Sequence, residues 1–301
     1  MRRIAYGYQT SPLNPQGPRK KPRRRRTKSE LGNLLEAVKR ITDADAPITL
    51  RHLYYRVVGE HLIEKTEGEY AKLCSLVADW RKRGALSFDV FVDGTRYYRG
   101  PRLFDDVTAA LENTARCYRK NLWATQPYFL ECWCEKDAVS GILSMEASRF
   151  GVQTFVCRGF TSLSSLNNAA RTFRDAQRAG KEVTVLYFGD HDPSGRLIDQ
   201  VAQRTLAIDF GVDVQFRRVA VTPDQIAEMD LPTRPVKAKD TRAKGWQGGC
   251  VEIDTIRSAD LRLLVEREIT ALIDPHQWQM LLKTEELERQ TLRQICQRGA
   301  A

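Results

Sequence analysis

Residues 183–195 read VTVLYFGDHDPSG, and the fold of the chain is argued outward from them. Six apolar or β-branched residues in a row describe a strand buried on both faces, and Gly-Asp-His-Asp-Pro-Ser-Gly stops it at a turn. Asp190 and Asp192 therefore sit at the carboxyl end of that strand. In extended backbone, residues two apart point to the same side, so the two carboxylates project together, and Pro193 fixes the backbone where a helix begins. Paired carboxylates suit Mg²⁺, which keeps most of its waters and needs only one or two protein ligands beside substrate phosphates. An Asp-rich turn capping a helix explains one aspartate and leaves the second over. The same alternation turns His191 away from the pair.

Further strand candidates are Tyr128 to Glu135, Val152 to Cys157 and Val214 to Val221, with helical runs between the first three strands and after Pro193. This order predicts a four-stranded parallel sheet with helices on both faces, whose ligands bind at the carboxyl ends of the strands. Glu135 closes the first strand and converges with Asp190 and Asp192 on one edge. Glu131, in mid-strand, reads as structural. Lys136 either contacts phosphate or caps a solvated turn. Residues 231–250 form a loop rich in Pro, Gly, Lys and Arg, and Glu252 to Thr255 leads into a C-terminal helical segment.

Toward the N-terminus, Ser29 can cap a helix carrying Leu31, Leu34, Leu35, Val38 and Ile41 as far as about Thr42. Thr49 can cap a second helix through Glu60, and a third runs from Glu67 to Arg83. The β segment SFDVFVDGTRYYRG follows. Three helices and a hairpin have the order of a winged helix, a DNA-binding scaffold. A helix from Asp105 to about Asn121 leads out of this unit. The division is a disordered basic arm over 1–28, a winged-helix unit over 29–124 and an α/β unit over 125–301.

The formal net charge of the 301 residues is +10. Residues 1–28 hold ten Lys or Arg and no acid, so the rest of the chain balances to zero. Such an arm, with Arg23, Arg24, Arg25 and Arg26 in a row, is expected to bind phosphate backbone through counterion release without sequence preference; a merely solvated arm or a nuclear-import signal reads the same. Arg81, Lys82, Arg83 and Arg96 are further backbone-contact candidates. The seven cysteines form no CxxC pair and read as reduced, buried residues, and no apolar run approaches a membrane span. The expectation is a cytoplasmic, nucleoid-associated protein without membrane contact.

The stretches ECWCEKDAVSGIL, CRGF and YFGDHDPSG, in that order, resemble the Toprim domain. Placed after a winged helix containing TLRHLYYR, they resemble the A subunit of topoisomerase VI and the related transesterase of meiotic double-strand breaks. The likeness is greatest to the compact stand-alone mini-A proteins. The resemblance implies Tyr55 as nucleophile, Arg51 as its helper, and Glu135, Asp190 and Asp192 as ligands of one or two Mg²⁺. Position 52 departs from the pattern, with His where that family has Asp. A 5′-phosphotyrosyl link, a homodimer in which the tyrosine of one subunit meets the metal site of the other, and a separate ATPase subunit are implied with it. Two other readings stand beside this one: a Toprim nuclease that hydrolyses DNA with no covalent intermediate, and a non-enzymatic winged-helix DNA-binding protein.

Overall fold

The computed structural model describes residues 26–91, 100–236 and 245–299. Arg23, Arg24, Arg25 and Arg96 lie outside them, as does most of the hairpin expected over 87–100. Helix α1 spans Lys28–Asp45 and starts earlier than expected, so the arm assigned to 1–28 ends sooner. Thr27, not Ser29, is its cap. The Thr27 hydroxyl accepts from the Glu30 amide at 3.2 Å, and the Glu30 carboxylate accepts from the Thr27 amide at 2.7 Å. Ser29 has Gly32 three residues on and could not close such a box. Helices α2 (Leu50–Gly59) and α3 (Glu67–Lys82) follow, capped by Thr49 and Thr66. Leu34, Val38, Ile41, Leu53, Val57, Leu73 and Val77 bury one core among the three helices. Helix α4 (Val107–Cys117), capped by Asp106, leads onward.

The second half alternates strand and helix: β1 (Tyr128–Cys134), α5 (Asp137–Arg149), β2 (Gln153–Val156), α6 (Leu163–Arg178), β3 (Glu182–Phe188), α7 (Gly195–Ile208) and β4 (Gln215–Ala220). The strands are all parallel, in the order β2-β1-β3-β4. Alternation sends Leu130, Cys132, Cys134, Leu186 and Phe188 to one face, against α5 and a helix from Ser258–Thr270. Trp133, Val183, Val185 and Tyr187 face the other way, against α6 and α7. Both faces of β3 are covered, which is why its sequence is a continuous apolar run. The chain leaves β1 for β2 on one side and then returns to lay β3 on the other. The carboxyl ends of β1 and β3 therefore border the point where the strand order reverses, the usual crevice of an open α/β sheet.

Beyond the sheet come α8 (Pro223–Glu228), a single 3₁₀ turn at Ile253–Thr255, α9 (Ser258–Thr270) and α10 (Pro275–Gly299). The two halves meet at α2. His52 and Ser258, both fully buried, share a 3.0 Å hydrogen bond, Thr49 Oγ1 donates to the Ala138 carbonyl at 3.3 Å, and Arg262 donates to the Asp45 carbonyl at 3.2 Å. Among the described residues no helix is long and apolar enough to cross a membrane.

Candidate functional site

The turn after β3 is built around close approaches. A Cβ at Gly189 would stand 2.6 Å from the Tyr187 ring and 2.7 Å from Glu135 Oε2, and one at Gly195 would stand 2.4 Å from the Asp190 carbonyl oxygen. Only glycine lets the backbone pass there. Arg218, on β4, binds the turn from behind: its guanidinium donates to the Asp190 carbonyl at 3.2 Å and the Gly195 carbonyl at 2.6 Å, and pairs with Asp199 at 3.0 Å. Across the gap between β1 and β3, the Asp190 amide donates to Glu135 Oε2 at 2.7 Å.

Glu135, Asp190 and Asp192 thus share one edge, but the aspartates do not project together. Strand β3 ends at Phe188, so strict alternation does not reach them. Asp190 accepts from the Ile253 amide at 2.9 Å and faces the Lys136 ammonium at 3.0 Å. Asp192 caps α7 instead, accepting from the Ser194 and Gly195 amides at 3.0 and 2.8 Å, with Arg234 at 3.6 Å. His191 lies against the Trp246 ring, with centroids 4.9 Å apart.

Lys136 occupies the N-cap position of α5, but its side chain makes no cap bond there. Its ammonium stands among Asp190, Asp254 at 3.3 Å and Glu252 at 3.7 Å. Negative charge is in excess around it. Burial and the Asp190 charge push the Glu135 carboxyl up to about 7, burial raises Asp254 to about 6 despite Lys136, and burial raises Asp190 against the same ammonium. Asp254 Oδ1 is buried without a hydrogen-bond partner. Among the described residues no three His, Cys, Asp or Glu side chains converge closely enough to hold a metal ion. The acidic groups on this edge offer carboxylate oxygens, the donor type that hard divalent cations take, and Asp254 Oδ1 is the orphaned one.

Tyr54 and Tyr55 separate cleanly in role. Tyr54 is structural, its hydroxyl donating to the Thr66 carbonyl at 3.1 Å and its ring lying edge-on to Tyr70. Tyr55, only 6% exposed, sends its hydroxyl across to the second half of the chain, where it donates to Glu252 Oε2. Arg51, one turn earlier, lies 3.4 Å from that hydroxyl, and Lys65 sits 5.0 Å over the ring. Burial and the bond to Glu252 raise the phenol above its usual range. Burial opposes ionisation of Glu252, but the Tyr55 hydroxyl, Lys136, Lys65 and Arg234 pull it down to about 2.

The basic candidates are scattered. Arg26 pairs with Glu69, Arg83 with Asp79 at 3.0 Å, and Arg81 stacks over Phe88 and Phe91 at 4.3 and 5.2 Å. Lys82 is exposed. Glu131 takes the Trp133 indole N–H at 2.8 Å, in keeping with its structural reading. Sequence reasoning missed Arg218, whose signal is a basic pair, Arg217 and Arg218, inside a strand. It also assigned Glu252 no part at the tyrosine. No family model, no curated protein and no solved structure matches the chain.

Proposed function

We propose that the chain cleaves duplex DNA by Mg²⁺-dependent tyrosine transesterification, with α1 to α3 as a winged-helix unit and the α/β half as a Toprim domain. The observation that carries this reading is the Tyr55 hydroxyl seated in the carboxylate cluster at the carboxyl ends of β1 and β3. A phenol needs a base and a nearby positive charge to attack phosphorus at neutral pH, and Glu252 and Arg51 stand at those positions. Mg²⁺ taken by Glu135 and Asp190, with Asp192 turned from the start of α7 to join them, would polarise the phosphate and stabilise the leaving 3′ oxygen. Tyr55 becomes linked to the 5′ phosphate, leaving a 3′ hydroxyl, and Arg51 steadies the phosphate during transfer. The basic arm and Lys82 supply non-specific affinity for double-stranded DNA in a nucleoid-associated protein. A homodimer cuts both strands, and directed strand passage belongs to a separate ATPase subunit.

A second reading is metal-dependent hydrolysis without a covalent intermediate. It is favoured by the burial of Tyr55 and by the raised affinity of its hydroxyl for the proton. A third, DNA binding without chemistry, predicts that binding outlives loss of Asp190 and Asp192. The protein is incubated with supercoiled DNA and Mg²⁺ and quenched with detergent, and DNA trapped with protein is measured before protease digestion. Trapping in the wild type and none in Tyr55→Phe is expected. Cleavage with free 5′ ends that survives Tyr55→Phe overturns the transesterase in favour of the nuclease.

A further inference from the structure

We infer that Lys65 is a second cationic catalytic residue at Tyr55, holding the transferring phosphate against the phenol, and that Tyr54 is its positioning residue. This rests on the transesterase reading above. It does not depend on which subunit supplies the carboxylates, because Lys65 lies between α2 and α3, in the same helical unit as Tyr54 and Tyr55. The Lys65 ammonium stands 5.0 Å from the centroid of the Tyr55 ring, nearer than the Arg51 guanidinium at 5.6 Å. Its backbone is fixed on both sides. Past α2 the chain turns back at His61, whose φ is 58°, Ile63 is buried in the core of the unit, and Thr66 caps α3 by accepting from the Glu69 amide at 3.2 Å. The Tyr54 hydroxyl donates to the Thr66 carbonyl at 3.1 Å, one residue past Lys65. Two adjacent tyrosines of one helix thus carry the nucleophile and the tether of its cation.

The charge of Lys65 is not needed to neutralise an acid. Its ion-pair partner is Glu252 at 3.5 Å, and Glu252 also has Arg234 at 3.4 Å and Lys136 at 3.7 Å. The Lys65 side chain is 37% exposed, so an entering phosphate can replace that carboxylate at the ammonium with charge of the same sign. Arg51 is less free, since its guanidinium also lies over the Tyr70 ring at 5.2 Å. In the transfer the Tyr55 oxygen bonds to phosphorus and the bond from phosphorus to the 3′ oxygen breaks. The phenolic proton passes to a carboxylate acceptor, and the departing oxygen takes a proton from water. Negative charge on the phosphate oxygens shifts as the step proceeds, and a cation fixed beside the phenol stabilises it there. An ammonium meets a phosphate oxygen as a point charge from many directions, whereas the planar guanidinium of Arg51 sets an orientation.

The assay is the rate of covalent trapping by the full chain with Mg²⁺ at saturating DNA. Lys65→Met slows it by about 10- to 100-fold, less than an enclosed donor costs because water reaches the ammonium. Lys65→Arg, which keeps the charge, recovers most of the rate. A Lys65→Met rate equal to that of the wild type overturns the proposal, and so does a Lys65→Arg rate as low as that of Lys65→Met. A deficit that saturating DNA abolishes overturns it too, because Lys65 is then a backbone contact only. Tyr54→Phe slows trapping in the wild-type background and has little further effect beside Lys65→Met; the same factor in both backgrounds refutes the positioning role. Should the wild type trap no DNA, the transesterase reading fails on its own. The placement of Lys65 is then decided by urea unfolding of Lys65→Met, Tyr55→Leu and the double variant. Midpoint shifts that are non-additive uphold the contact, and strictly additive shifts refute it.

Discussion

Replacing Lys136 by Met removes the one ammonium among the described residues that stands within 4 Å of Asp190, Asp254 and Glu252. At the effective dielectric of about 20 that suits protein sites, each of these attractions is worth roughly 5 kcal/mol before the mutual repulsion of the carboxylates and the desolvation of the ions are subtracted. What survives is better judged from buried pairs that lose one partner, which cost about 3–5 kcal/mol. The Lys136 side chain is 26% exposed, and water screens part of the loss, so we place the destabilisation at about 3 kcal/mol. Equilibrium urea unfolding of wild type and Lys136→Met in chelator measures it. Mg²⁺ added to the variant replaces one cation by another and restores most of the stability, and it raises the midpoint of the variant more than that of the wild type. A variant as stable as the wild type in chelator refutes the reasoning, because the carboxylates would then need no buried counter-charge. Equal Mg²⁺ effects on the two proteins refute the cation-site part alone.

Gly195→Ala puts a Cβ 2.4 Å from the Asp190 carbonyl oxygen, a backbone atom that cannot swing aside, and costs about 1–3 kcal/mol in guanidinium unfolding. Arg218→Met leaves the Asp199 carboxylate and two turn carbonyls without their donor and costs about 3–5 kcal/mol, with a clearly smaller cost in an Asp199→Asn background. Burial lowers the His52 imidazole from 6.5 to about 4, so the unfolded chain binds its proton first as pH falls. The stability it contributes is complete above pH 6.5 and is lost down to about pH 4, about 3 kcal/mol in all. His52→Gln removes that slope, and unfolding curves of the two proteins that stay parallel from pH 7 to 4 refute the assignment.

The sheet was legible because parallel strands covered on both faces must be apolar throughout, and 183–188 could be little else. Glu135 and Asp190 could be placed on one edge because strand ends follow from strand bounds. The partners of Asp192 could not be read. A capping aspartate and a metal aspartate share one local sequence, and the choice between them lies in how the backbone turns after Phe188. The bond between Tyr55 and Glu252 spans 197 residues of sequence, and neither flank carries a periodic or spacing signal for it. Arg218 was hidden for a similar reason, since its three partners come from the turn and from α7. Arg81 looked like one of three equivalent charges at a helix end, and only the aromatic rings from the following loop set it apart.

On the function proposed above, the seam at α2 bears on how tightly DNA is held. A phosphodiester reaches the hydroxyl of Tyr55, a residue only 6% exposed and bonded to Glu252, when the contacts around His52 and Ser258 part, so only the parted fraction of molecules is competent to bind productively. Every 1.4 kcal/mol or so of seam stability lowers that fraction, and with it the apparent affinity for DNA, about tenfold. Weakening the seam, as in Ser258→Ala, therefore tightens binding while it loosens the fold. In this architecture the two properties are set by the same few hydrogen bonds and trade against each other.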